Sequence, residues 1–184
     1  MLLLAFGAHA EPRRSGSHAS TNAEYGIVML EETPGRCRLE VTRDTDPLWT
    51  LSRCLGSVDD LYFISDSGQR FWVLSALPRK IPPPSKTAKP ARSRSVHDKP
   101  PAHDAYGGVV VAVLYDRLGN VLSERRLGEF LSPVSYHKLR VLDRRFVWLE
   151  GVAGVPGREP HVTEKNQVEF DTVEPRTHRL GFQE

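Results

Sequence analysis

The sequence predicts an all-β protein with a minor helical component, assembled from short antiparallel hairpins. Three observations carry this. Two apolar pairs of segments, at 61–74 and 109–123, each flank a turn that opens on Asp and contains Gly. The C-terminal residues alternate between apolar and polar over two runs, the signature of half-buried strands. Turn signals also recur at close spacing along the chain, as in sandwiches, barrels and propellers.

Taken in order, the first expected strands are Cys37-Arg38-Leu39-Glu40-Val41 and Leu48-Trp49-Thr50-Leu51, joined by Arg43-Asp44-Thr45-Asp46-Pro47. A hairpin centred between Thr45 and Asp46 places Cys37 opposite Cys54. In that register Leu39 faces Ser52 while Trp49 and Leu51 point away, so a bulge is expected. The next hairpin pairs Leu61-Tyr62-Phe63-Ile64-Ser65 with Phe71-Trp72-Val73-Leu74 across Asp66-Ser67-Gly68-Gln69. Gly supplies the positive φ that such a turn needs. A third hairpin repeats the design, with Val109 to Tyr115, the turn Asp116-Arg117-Leu118-Gly119-Asn120, and Val121-Leu122-Ser123.

Ser132-Pro133 offers an N-cap and a first-turn proline for a short helix through Tyr136 to about Arg140. Arg145 to Leu149 reads as another strand. The last hairpin pairs Val168 with Phe182, Phe170 with Leu180 and Thr172 with His178 around Glu174-Pro175-Arg176. Its second face carries Glu169, Asp171, Thr177 and Arg179.

The recurring unit of apolar strand, Asp-to-Gly turn and second strand resembles the blades of β-propellers in secreted bacterial proteins. Tyr115-Asp116-Arg117-Leu118-Gly119-Asn120-Val121 is similar to one copy of the YD repeat. A complete propeller needs at least four blades and this chain supplies about two. The expected architecture is therefore a propeller-like array or a compact sandwich.

The chain has 184 residues, 39% hydrophobic and 26% charged, which suits one globular domain. Residues 1–10 read as the end of a signal peptide, with Leu2-Leu3-Leu4-Ala5-Phe6 followed by the small-x-small triplet Ala8-His9-Ala10. No Lys or Arg precedes the apolar run, so a start further upstream is expected. The mature protein is expected to be exported, to the periplasm or the exterior. No segment approaches the ~20 apolar residues of a spanning helix. Residues 11–23 are polar and small and are expected to form a disordered leader. A single β domain then covers 24–184, interrupted at 78–104 by a flexible Pro-rich loop.

That loop holds Arg79, Lys80, Lys86, Lys89, Arg92, Arg94 and Lys99 against Asp98 and Asp104. It thus carries a net +5 within a chain whose total is +2. The loop reads as a solvated spacer, with an anionic envelope polymer or another envelope protein as the partner if it binds one. It offers no aromatic platform for stacked bases, so no sequence-specific nucleic-acid binding is expected.

Two cysteines in an exported chain favour a Cys37–Cys54 disulfide. No CxxC spacing suggests zinc. The candidate binding segment runs from Trp148 to His161, where Gly151, Gly154 and Gly157 follow an apolar strand. Glycines there let backbone amides approach a ligand, and Glu150, Arg158 and His161 add polar groups. A plain connection between sheets is the competing reading. The segment lacks the Gly-Lys-Ser/Thr of a P-loop, and no Gly-x-Ser-x-Gly elbow occurs. No cofactor or metal is expected, although His137, His161 and His178 with Asp143 or Glu150 are the residues a metal would need. The functional expectation is an exported, non-catalytic binding or structural module of the cell envelope. The alternative is a small secreted hydrolase or metal-dependent enzyme using the Gly-rich segment with His161 and Glu150.

Overall fold

The computed structural model describes residues 11–16, 18–79, 104–142 and 144–183. The expected signal sequence lies outside them, as do Lys80, Lys86, Lys89, Arg92, Arg94 and Lys99 of the basic segment. Arg79 is described, in an isolated bridge to Arg145.

The all-β class holds. A first sheet is built on β3 (Tyr25–Thr33), with β1 (Arg13–Arg14) and β2 (His18–Ala19) on one side of it. On the other side follow β4 (Arg36–Arg43) and β5 (Asp46–Leu51). The second sheet runs β6 (Leu61–Ile64), β7 (Arg70–Leu74), β8 (Val110–Asp116) and β9 (Val121–Arg126), with α1 (Asp104–Gly107) before β8. A short α2 (Leu127–Phe130) and a 3-10 helix (Pro133–Lys138) lead to the hairpin β10 (Arg140–Leu142) and β11 (Arg145–Val147). The last sheet is β12 (His161–Thr163), β13 (Gln167–Asp171) and β14 (Thr177–Gly181).

The second sheet is covered on both faces, which is why β6 and β7 read as continuous apolar runs rather than as alternating ones. Tyr62, Ile64, Phe71 and Val73 pack with Ile27, Met29, Leu39 and Val41 of the first sheet. Phe63, Trp72, Leu74 and Leu114 pack with Trp148, Val168, Phe170, Leu180 and Phe182 on the opposite side. Stacked antiparallel sheets are thus the architecture, and the propeller-like alternative finds no support in it.

Four expectations need correction. Residues 11–23 are not a disordered leader across their described part, because β1 and β2 pair antiparallel with β3. Polar bonds take the place of apolar burial there. Ser15 Oγ accepts from the Met29 amide at 2.9 Å, and Thr21 Oγ1 donates to the Thr163 carbonyl at 2.7 Å.

The β4–β5 turn falls earlier than expected, at Asp44 and Thr45, whose φ values of 48° and 79° suit a two-residue hairpin. A register shift between Val41 and Thr42 then sets Val41 opposite Trp49 and Leu39 opposite Leu51. The anticipated bulge thus brings both residues onto the inner face. The Cys37–Cys54 disulfide is formed, with a Cα separation of 4.8 Å.

The last hairpin is offset by two residues, pairing Val168 with Leu180 and Phe170 with His178. Thr172 leaves the hairpin to bridge Leu149, and its Oγ1 donates to the Glu174 carbonyl at 2.7 Å. An even shift keeps every side chain on its predicted face. The helix after Ser132 is a 3-10 turn, and the Ser132 hydroxyl bonds Glu174 at 3.0 Å instead of capping it.

Candidate functional site

The Gly-rich segment folds onto itself. Gly151 has φ +69°, and a Cβ there would lie 2.6 Å from the Arg158 carbonyl. At Gly157, φ +134°, a Cβ would lie 2.5 Å from that of Glu150. Two of the three glycines thus serve close approach of the loop to itself. Gly154, φ +77°, is the open one, with the Arg140 guanidinium 3.7 Å from its Cβ position. Trp148 lies in the core at 0% exposure, its indole N–H donating to the Ser75 carbonyl at 2.7 Å. It presents no surface to a ligand.

The doubled loop carries Arg158 and His161 to the outer face of β13. Arg158 Nη2 lies 2.7 Å from Glu169 Oε1 and 3.4 Å from Asp171 Oδ2. Arg179 Nε is 2.6 Å from Glu169 Oε2, and His161 Nε2 is 3.8 Å from Oε1. The Arg179 hydrogen bond, with the Arg158 charge behind it, holds the Glu169 carboxyl below the usual range despite its burial. Glu169 is therefore a fixed anion, unsuited to donating a proton near neutrality. A cleft of about 430 Å³ lies alongside, between His161, Lys165, Gln167 and Arg179.

Of the expected site residues, Arg158 and His161 converge. Glu150 remains in the loop, with its amide on the Asp171 carbonyl at 3.0 Å. The three histidines proposed for a metal have separate surroundings. His137 Nδ1 is 2.6 Å from the Val134 carbonyl, His161 Nδ1 is 3.2 Å from that of Glu159, and His178 stacks on Phe170. Asp143 lies outside the described residues. Among those residues no group of three metal-ligating side chains comes together.

Glu169 and Arg179 were assigned to a polar face by their alternation, yet their pairing escaped sequence reasoning. With Thr172 kept in the hairpin, Arg179 falls opposite Asp171. Once Thr172 leaves, it falls opposite Glu169.

A second cleft, of about 540 Å³, opens where β9 and β14 flank the stacked sheets. Trp72, Leu114 and Phe130 form its base. Ser123 and Arg125 come from β9, Glu129 from α2, and His178, Arg179 and Gly181 from β14, with Gln183 beyond it. Burial pushes the His178 imidazole below its ordinary value, and the Arg176 charge acts in the same direction. Its Nε2 is buried without a hydrogen-bond partner among the described residues. Two further hollows, of about 570 and 330 Å³, border Phe182 and Gln183 and continue the depression around the C-terminal segment. Sequence reasoning missed this region, since β9 and β14 come together only through the stacking of two sheets.

Searches of protein-family models, curated proteins and solved structures found no match to this chain.

Proposed function

We propose that this chain is an exported, non-catalytic binding module of the cell envelope, which takes its ligand on the open flank between β9 and β14. The observation that carries the reading is the 540 Å³ cleft on that flank, whose walls are polar and whose base is the aromatic core. Compact clefts with a few placed polar groups are the usual form of a ligand site. The Cys37–Cys54 bridge supports an oxidising compartment, because Cys54 is exposed and a reducing cytosol would open such a bond. No helix among the described residues is long and apolar enough to cross a membrane.

The test of export is to express the gene with its native upstream region in its source cell and to sequence the N-terminus of the mature protein. Glu11 is expected as the first residue. An intact Met1 on cytoplasmic protein overturns the assignment.

A further inference from the structure

The β10–β11 hairpin ends in a free strand edge. Phe146 sends its amide away from β10, to the Pro78 carbonyl at 3.1 Å, and Arg79 bridges Arg145 on that same side. In an antiparallel ladder the two residues of one register position turn their backbone groups either toward each other or both outward. Val141 stands opposite Phe146, so its N–H and C=O point out from the hairpin. β10 pairs with no strand but β11, and among the described residues no hydrogen bond reaches those two groups.

The side chains along this edge decide what fits it. Val141 and Leu142 are 53% and 39% exposed. Lys138, Arg140 and Arg144 are exposed too, and none has an ion pair or a hydrogen bond among the described residues. Asp143 is the one acidic residue of the sequence from 133 to 147. At β9, the free edge of the second sheet, the cations are engaged instead, Arg125 with Glu129 at 3.8 Å and Arg126 with the Gly108 carbonyl at 3.1 Å. A bilayer would cover the aliphatic side chains of β10 but leave the Val141 backbone groups without partners. A polyanion without apolar groups would answer the cations and leave Val141 and Leu142 in water. A second copy of the same edge would bring two sets of unpaired cations together. An extended peptide with acidic and apolar side chains answers all three features, since it also supplies main-chain donors and acceptors.

We propose that the β10 edge is a docking site for an extended acidic segment of another protein, which adds to the hairpin as a further strand. Acidic side chains of that segment meet Arg140 and its neighbouring cations, and apolar ones cover Val141 and Leu142. The site shares no residue with the β9–β14 cleft, so the two readings stand or fall separately.

The experiment is calorimetric titration of the full, disulfide-bonded chain at low salt with an octapeptide that alternates glutamate and valine. The comparison probes are its lysine–valine counterpart, octaglutamate, the glutamate–valine peptide with all its backbone amides N-methylated, and vesicles of phosphatidylglycerol. The glutamate–valine peptide is expected to bind tenfold or more above each of the other peptides. Val141→Pro removes an N–H that no described residue uses, at an edge position where proline is tolerated, and is expected to abolish binding with an unchanged melting curve. Arg140→Gln keeps the backbone intact and is expected to weaken binding at least fivefold, so the test survives if the proline variant unfolds. Arg117→Gln, in the β8–β9 turn, is the control and leaves binding unchanged. Absence of peptide binding, or equal binding of any other peptide, overturns the proposal. Equal binding by wild type and Arg140→Gln also overturns it. Vesicle binding that Arg140→Gln weakens assigns this edge to a bilayer and overturns it as well.

Discussion

The two faces of the β6–β9 sheet are closed by different means. Toward the first sheet the contact is mainly aliphatic, with Ile27, Met29, Leu39, Val41, Ile64 and Val73. That side is also fastened by the Cys37–Cys54 bridge and by the strap of β1 and β2. Toward the last sheet large rings join Leu74, Leu114, Val168 and Leu180. Phe130 stacks on Trp148 at 5.5 Å and meets Phe170 edge-on at 5.4 Å, while Trp148 and Phe170 meet edge-on at 5.5 Å. Large rings fill this interface without any covalent tie among the described residues. The disulfide belongs to the first-sheet side, and the cleft opens at the flank of the last-sheet side.

The largest loss of stability is expected at Trp148. Trp148→Ala removes the centre of the aromatic cluster and leaves the Ser75 carbonyl without its donor. A loss of about 3–5 kcal/mol is expected from the cavity. Urea unfolding followed by far-ultraviolet circular dichroism measures it. A loss under about 1 kcal/mol would mean that the rings do not hold the last sheet.

The double variant Cys37→Ala/Cys54→Ala tests the other face. The cysteines are 17 residues apart, and releasing a loop of that size removes about 3 kcal/mol on loop-entropy reasoning. Because the bridge lies in the aliphatic cluster, the near-ultraviolet signal of the aromatic face should persist below the transition. Loss of that signal in the folded variant would show that the two faces do not behave independently.

These contrasts separate what the sequence states from what only packing supplies. The β6–β7 and β8–β9 hairpins were legible because their turns state their own geometry. Gly68 and Gly119 have φ of +65° and +74°, and Asp116 Oδ1 accepts from the Leu118 and Asn120 amides at 2.9 and 2.8 Å. The disulfide was legible from hairpin spacing, even though the register needed a bulge to be completed.

The strap was not legible, because Arg13, Arg14, His18 and Ala19 show no apolar period. Its partners are remote, such as the Thr163 carbonyl 142 residues beyond Thr21. The candidate site was half legible. Arg158 and His161 were named, but their common partner Glu169 depends on Thr172 leaving its hairpin, and the β9–β14 cleft depends on how two sheets stack. Neither is a local property of the chain.

The smallest expected effect is on pH dependence, and two histidines contribute to it, both packed on rings of the cluster toward the last sheet. His18 of the strap packs on Phe63 with ring centroids 4.7 Å apart, and His178 stacks on Phe170 at 5.6 Å. Burial lowers both imidazoles from their ordinary values, more than offsetting Glu159 at His18, and with help from Arg176 at His178. An imidazole lowered in the fold binds fewer protons there than in the unfolded chain, so stability is complete above the ordinary histidine value of about 6.5. It declines as pH falls from there through the folded value, and it levels off below that. Asp60 acts in the opposite sense, since burial raises its carboxyl against the hydrogen bonds of Ser57, Ser75 and Ala76, but its window lies above the ordinary carboxylate range and does not depend on either histidine. Urea midpoints measured from pH 8 to pH 5 should therefore fall in the wild type, fall less in His18→Gln and in His178→Gln, and fall least in the double variant. If the single variants share the wild-type slope, the histidines are not the groups that titrate. If only one flattens it, that histidine carries the loss of stability in acid.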